Sequence, residues 1–311
     1  MENASKIAII GLGSQAKAWA LNLRDSGLNV TIALREGSSS FAIADQLNLK
    51  ALPIGEWLRD IPTIIVLTPD HEQKNIIEKN IAFFSNGTHF IFAHGWSYIR
   101  NFKDQYPQFN MAMLAPKAIA SEVRFQYETK GKLGGAYSLE GCKDKDSSLN
   151  LVLHIAKAIG ITAGPYESTF AEETKADLFS EQTILCSMLP YGALHSYKTL
   201  RKNGVSQEMA FMECWLEVKL IANALISLGP VEFFKLISPN ALFGSTKASK
   251  VLFDKEYQAK LDSLFHDIDT GVFYEECEKA NQQQLREEVL NLWQNEELQE
   301  VFERLKDELI P

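Results

Sequence analysis

The stretch Lys6-Ile7-Ala8-Ile9-Ile10-Gly11-Leu12-Gly13-Ser14-Gln15-Ala16 decides the fold. Lys6 to Ile10 is a short apolar run rich in β-branched residues, the composition of a buried strand. Gln15 to Asp25 then has helical patterning. Between them Gly11 to Ala16 fits G-x-G-x-x-G/A, and its position between a strand and a helix is what gives that pattern meaning. Gly11 permits the tight turn, Gly13 lets the backbone approach a pyrophosphate, and Ala16 is small enough for helix–strand packing. The helix start at Ser14 and Gln15 offers N–H groups and a partial positive charge to phosphates. The alternative is a glycine-rich turn that holds no ligand; the flanking strand and helix weigh against it.

Outward from that turn, Asn29 to Ala33, Thr63 to Leu67 and His89 to Ala93 read as further buried strands, with Met111 to Ala115 and Ala136 to Leu139 as weaker ones. Helical patterns fall between several of them, which predicts an α/β, Rossmann-type parallel sheet with crossover helices. The texture changes near Ser168. Beyond it Glu172 to Leu189, Leu194 to Lys202, Gln207 to Ile226, Gln258 to Asp267 and Gln284 to Leu309 read as helices. Leu298, Phe302, Leu305 and Leu309 give the last of these an apolar face. The expected organisation is a dinucleotide-binding domain over 1–168 and an all-helical domain over 169–311. A length of 311 residues accommodates it, being enough for about two domains.

Hydrophobic residues make up 46% and charged residues 23%, ample for two cores. A net charge of −9 argues against nucleic acid as a general partner, because phosphate backbones demand clustered Lys and Arg. Cys142, Cys186, Cys214 and Cys277 are scattered without metal-type spacing. Free thiols in a reducing, cytoplasmic compartment are the simplest reading. Met1-Glu2-Asn3-Ala4-Ser5 has no basic n-region before an h-region, so no signal peptide is expected. No apolar run reads as a membrane span of ~18 residues.

The segment after the second strand reads Ala33-Leu34-Arg35-Glu36-Gly37-Ser38-Ser39-Ser40. Arg35 pairs naturally with a 2′-phosphate, with Ser38 and Ser40 as hydroxyl donors, whereas Glu36 suits a 2′-hydroxyl. NADP is favoured over NAD, with both open.

Asp177 and Glu181 lie four residues apart, as do Glu213 and Glu217. On a helix each pair shares one face. Leu178, Phe179, Trp215, Leu216 and Leu220 surround them, so both helices are expected to be largely packed. Partly buried carboxylates need compensating charge, and no Lys or Arg stands at the matching positions four residues away. All-oxygen ligation suits Mg²⁺, and two such pairs could hold two ions. Solvated acidic stripes are the competing reading.

At this point the residues resemble a known family. Gly13-Ser14-Gln15 with Ala20 to Gly27, Leu34-Arg35 with Gly37-Ser38, Pro69-Asp70 with Gln73, Ala93-His94-Gly95 and Ala115-Pro116-Lys117 are similar to ketol-acid reductoisomerases (acetohydroxyacid isomeroreductases). The strongest likeness is Glu172-Glu173-Thr174 with Asp177-Leu178-Phe179 and Glu181-Gln182, continued in Glu213-Cys214, Glu217, Lys219-Leu220-Ile221 and Ile237-Ser238. The resemblance implies a short-form enzyme with a knotted helical C-terminal domain. It implies a homodimer with shared active sites, where Asp177 and Glu181 of one subunit meet Glu213, Glu217 and Ser238 of the other. It implies two Mg²⁺ ions on those carboxylates, with Glu181 also counted as catalytic, and Ser238 on the substrate carboxylate. His94 and Lys117 would line the polar end of the pocket near the nicotinamide, and Pro69 and Gln73 would border the dinucleotide. The implied reaction is a Mg²⁺-dependent alkyl shift in a 2-acetohydroxy acid, then reduction by NADPH.

The chain departs from the family pattern where Pro-Lys is usually followed by Gly-Pro-Gly and a histidine. Here Ala118-Ile119-Ala120-Ser121 stands instead, and added bulk is expected where glycine allows close backbone approach. Two other readings compete: a metal-free hydroxyacid-type dehydrogenase, which leaves the carboxylate quartet without purpose, and a dinucleotide-binding protein without turnover.

Overall fold

The computed structural model describes residues 6–309; the leading residues on which the signal-peptide expectation rests lie outside them. The chain divides into two compact units, Met1–Thr174 and Lys175–Pro311.

In the first unit the elements run β1 (Lys6–Ile10), α1 (Ser14–Asp25), β2 (Asn29–Leu34), α2 (Ser40–Gln46), β3 (Ala51–Pro53), β4 (Thr63–Val66), α3 (Asp70–Asn80), β5 (His89–Phe92), β6 (Asn110–Pro116), α4 (Ala120–Glu128), β7 (Gly134–Gly141), α5 (Lys145–Ile159) and β8 (Ala163–Glu167), with α6 (Phe170–Ser180) crossing the division. Among the described residues these strands form one sheet in the order β3-β2-β1-β4-β5-β6-β7-β8. β1 to β6 are parallel, β7 is antiparallel to β6, and β8 is parallel to β7. The chain reverses its direction of sheet growth between β1 and β4, and ligands of such sheets bind at the carboxyl ends of the strands flanking that point.

Alternate side chains of the central strands feed opposite cores. Ile7 and Ile9 join Trp19, Leu23, Ile155 and Ile159 on the α1–α5 side. Ala8 and Ile10 join Ile64, Phe90, Phe92 and Phe102 on the other. Burial on both faces explains why these strands read as unbroken apolar runs. The caps are conventional: the Asp144 side chain accepts from Ser147 N–H at the start of α5, and Gly160, with φ 100°, ends it.

Two strands escape a sequence reading. β3 ends in Pro53, and β8 contains Gly164-Pro165, which reads as a turn. Both lie at the edges of the sheet, where a missing ladder donor is tolerated. The antiparallel β7 also departs from the all-parallel expectation.

The second unit continues through a π-helical stretch Glu181–Met188, α7 (Leu189–Lys202), α8 (Gln207–Phe211), a π-helical turn Met212–Leu216, α9 (Glu217–Leu236), α10 (Pro239–Leu252), α11 (Lys255–Thr270), α12 (Val272–Lys279), α13 (Gln282–Gln294) and α14 (Glu297–Leu309). The expected single helix over Glu172 to Leu189 is thus α-helical only to Ser180 before widening. The expected helix over Gln284 to Leu309 breaks between α13 and α14. Leu194, Tyr197, Ala210, Phe211, Leu298 and Val301 form a small core.

The expectation that the helices around Glu213 and Glu217 are largely packed holds only in part: Trp215 and Leu216 lie against the small core, whereas Leu220 is 60% exposed, Ile226 82% and Leu236 70%. Residues 207–236 are also long and apolar enough, by length and composition, to cross a membrane; scattered charges hide that from a search for unbroken apolar runs. Gly229, with φ 76° beside Pro230, interrupts this stretch.

Glu297 at the start of α14 fastens that helix to α7 and α8. It accepts from Tyr197 Oη at 2.8 Å, Arg201 Nε at 2.8 Å and Gln207 Nε2 at 2.7 Å. The Arg201 hydrogen bond, then that of Gln207, holds its carboxyl down at about 2 from an ordinary 4.5, against the opposing pull of burial. A depressed carboxylate contributes stability above its ordinary pKa and loses it as pH falls toward its folded value. Glu297→Gln is therefore expected to melt below wild type at neutral pH, with the gap narrowing as pH falls from 4.5 toward 2. A pH series of thermal melts followed by circular dichroism measures it; a gap independent of pH would remove the assignment.

Candidate active site

At the carboxyl ends of β1 and β4 the chain shapes a cleft for a dinucleotide. Gly11 has φ 97°, and a Cβ there would meet Thr68 Cγ2 at 2.8 Å and Leu67 O at 3.3 Å, so only glycine fits. A Cβ on Gly13 would meet nothing within 4 Å, leaving open space beside the turn. The cleft is lined by Gly11, Gly13, Arg35, Ser38, Ser40 and Pro69 among others. Ser40 N–H donates to Ser38 Oγ at 3.3 Å, ordering the serine loop. Ser14 is exposed at the helix start.

Buried polar atoms without hydrogen-bond partners among the described residues gather around this turn: Thr68 Oγ1, Gln15 Oε1 and Gln73 Oε1. Gln73 is 5% exposed, and its Nε2 donates to Thr68 O at 2.8 Å and to Asp70 Oδ1 at 3.3 Å. Native interiors rarely leave such acceptors unpaired without a ligand or water to meet them. The residues thus suit a bound dinucleotide.

At the ends of β5 and β6 a second arrangement forms around Glu173, which is 4% exposed. Its Oε1 takes the Lys117 ammonium at 2.6 Å. Its Oε2 accepts from Gly95 N–H at 3.2 Å and lies 3.1 Å from His94 Nδ1. Burial pushes the Glu173 carboxyl up, but His94 and Lys117 together outweigh it and leave it below the ordinary value. Neighbouring Asp70 is raised: burial dominates, with His94 pulling it down and Glu173 pushing it up. A carboxylate this deep is tolerated only when its lone pairs are met by donors and cations.

His94 and Lys117 thus converge on one residue, Glu173, that the carboxylate reading passed over. The signal was present: Glu173, Asp177 and Glu181 recur every four residues. Glu173 and Asp177 fall on successive turns of α6, and Glu181 begins the π-helical stretch. Glu213 lies in the other π-helical turn, with Glu217 opening α9, both exposed. Widened turns of this kind occur often at functional sites. Ser238 caps α10: its Oγ accepts from Ala241 N–H at 3.2 Å, leaving the hydroxyl proton available to an acceptor. The chemistry of the Asp177, Glu181, Glu213 and Glu217 donor set, all carboxylate oxygen, suits a hard divalent cation.

Comparison with known proteins covers nearly the whole chain. Residues 2–164 match the family model described as acetohydroxy acid isomeroreductase, NADPH-binding domain, and residues 170–309 match ketol-acid reductoisomerase, C-terminal domain. A ketol-acid reductoisomerase (NADP(+)) of Kocuria rhizophila is 35% identical over 269 residues, 86% of this chain and 79% of that protein. The solved structure of an NADH-preferring ketol-acid reductoisomerase from an uncultured archean superposes with a TM-score of 0.90 at 25% identity, covering 99% of this chain and 95% of that one. A semialdehyde dehydrogenase NAD-binding protein of Cupriavidus necator, 17% identical with a TM-score of 0.65 over 86% of this chain and 99% of its own, shares the fold.

The Glu173 arrangement leaves no room at Gly95, where a Cβ would overlap Thr174 Oγ1 and the Phe170 carbonyl. Gly95→Ala is expected to destabilise the fold by about 1–3 kcal/mol, the usual cost of overpacking a rigid site. Denaturant unfolding of the variant checks this, and an unchanged midpoint would contradict it.

Proposed function

The chain belongs to the ketol-acid reductoisomerase family, and from that premise we propose that it converts a 2-acetohydroxy acid of the 2-acetolactate type to a 2,3-dihydroxy acid, using NADPH and two Mg²⁺ ions, in isoleucine and valine biosynthesis. The observation that carries the reading is the buried Glu173, which draws Lys117 and His94 together at the same carboxyl end of the parallel strands as the dinucleotide turn. NADP is favoured over NAD because Arg35, Ser38 and Ser40 line the cleft. The reducing cytoplasm suits cysteines that form no disulfide among the described residues.

When bound, the nicotinamide supplies hydride and the cations polarise the carbonyl and stabilise developing alkoxides. The chain's own residues bind and direct. Gly11 and Gly13 open the turn to the pyrophosphate, and Arg35 meets the 2′-phosphate. Asp177, Glu181, Glu213 and Glu217 would hold the metal ions. Ser238 would donate to the substrate carboxylate. Lys117, its charge balanced by Glu173, would give a proton to the oxygen that gains charge as hydride arrives. His94 would orient the same polar end.

The test is loss of NADPH absorbance with 2-acetolactate, with and without Mg²⁺, and with NADH alongside. Mg²⁺-dependent turnover faster with NADPH is expected. Asp177→Ala should lower kcat by at least about 100-fold while NADPH affinity stays within about threefold, because a metal ligand acts on the chemical step. Turnover without Mg²⁺, or activity surviving that substitution, would overturn the metal assignment.

A homodimer with shared sites is part of the same proposal. Val231 at 66% and Phe243 at 73% exposed extend the apolar surface of α9 and α10, and surfaces of that kind mark interfaces. A second copy of this chain is the expected cover. Sedimentation should give a dimer. Co-expressing the inactive variants Asp177→Ala and Glu217→Ala should restore part of the activity, since a mixed dimer keeps one intact site if each site draws on both subunits. No restoration would place the four carboxylates within a single chain.

A further inference from the structure

One side chain links the phosphate-facing turn to the Lys117 segment. Gln15 lies in the first turn of α1, and its Nε2 donates to the Ala118 carbonyl at 3.1 Å. Ala118 directly follows Lys117, whose backbone N–H donates to Gly134 O at 2.9 Å and whose Nζ lies on Glu173. A carbonyl only accepts, so the Gln15 amide must turn its nitrogen to Ala118. Its Oε1 is thereby directed elsewhere, and it is buried without a hydrogen-bond partner among the described residues.

The connection is stiffened behind Gln15. Asn22, fully buried on α1, donates to Val123 O at 3.3 Å and to Ile159 O at 2.9 Å, and its Oδ1 accepts from Arg124 at 2.8 Å. Val123 and Arg124 belong to α4, the helix that Lys117 and its successors lead into. The helix that starts at the dinucleotide turn and the segment carrying Lys117 are therefore joined at two places by buried amides. Only the first of these, Gln15, retains an unmet acceptor.

We propose that Gln15 is a positioning residue that couples dinucleotide occupancy to Lys117. Its Nε2 holds the peptide after Lys117, while its Oε1 accepts from a donor on the bound dinucleotide, a ribose hydroxyl or the carboxamide N–H. The proposal rests on the reading of the cleft as a dinucleotide site and adds to it a link between the cofactor and the residue that handles the proton. Linkage makes the effect reciprocal: whatever orders the Lys117 segment also favours the cofactor.

Gln15→Leu and Gln15→Met keep the bulk and remove both hydrogen-bonding groups. In either variant kcat should fall about tenfold, the scale of one lost hydrogen bond at a site. NADPH affinity by fluorescence titration should fall by up to about tenfold, the range of one lost hydrogen bond, and the alkaline limb of the kcat–pH profile should move. Hydrogen exchange gives a readout that needs no turnover. NADPH should protect backbone amides of residues 117–124 in the wild type and much less in the variants. An unmoved pH profile, or protection unchanged by the substitutions, would overturn the coupling. A wild type that binds NADPH, protects the segment and fails to turn over 2-acetolactate would overturn the proposed substrate and leave the coupling standing.

Discussion

A single buried carboxylate organises the functional edge of the sheet. Glu173 is almost without solvent, and an uncompensated charge there would be strongly unfavourable. Its compensation comes from three groups at two places in the chain: the Gly95 N–H and His94 after β5, and the Lys117 ammonium after β6. The requirement works in both directions. It brings the start of α6 against the carboxyl ends of two strands, and it makes residue 95 a glycine because the α6 backbone then lies against it. Tyr98, stacked on Phe170 with ring centroids 3.8 Å apart, supports the same junction from the apolar side. The polar arrangement thus has a rigid mount, the condition under which a proton-handling group keeps its aim.

What could be read in the sequence follows from the range over which each signal acts. The glycine turn, the central strands and α1 are local patterns, and each of them stands where the sequence reading put it. β3 and β8 were hidden because Pro53 and Gly164-Pro165 carry turn signals, and only sheet context shows that an edge strand accepts them. Glu173 was hidden for the opposite reason. Its own helix is legible, but its partners lie 78 residues away at Gly95 and 56 at Lys117. The four-residue recurrence from Glu173 through Asp177 to Glu181 was visible, yet spacing alone does not tell a buried carboxylate from an exposed one.

The second unit shows where composition overstates burial. Apolar neighbours around Glu213 and Glu217 imply packed helices; Trp215 and Leu216 do lie against the small core, but α9 from Leu220 onward is largely open within one chain. Exposed apolar area is unfavourable by roughly 25 cal/mol per Å². The core around Leu194, Tyr197, Phe211 and Leu298 belongs to other helices and cannot shelter α9 and α10. The break at Gly229-Pro230 and the carboxylates at 213 and 217 fit a protein-facing surface better than a lipid-facing one.

The loop after Lys117 bears on how far the chain has diverged. Ala118-Ile119-Ala120 in place of the family's Gly-Pro-Gly raised the expectation of bulk intruding where backbone should approach closely. The bulk goes elsewhere. Ala118 and Ala120 pack partly against the α1–α5 core, and Ile119 is turned outward at 71% exposure. The Ile119 carbonyl accepts from Val123 N–H at 3.0 Å, starting α4 cleanly. Since Gln15 also holds the Ala118 carbonyl, the substituted loop keeps a defined backbone path, and Lys117 keeps its ion pair with Glu173. The departure therefore changes the loop's outer surface while its inner face still presents the lysine.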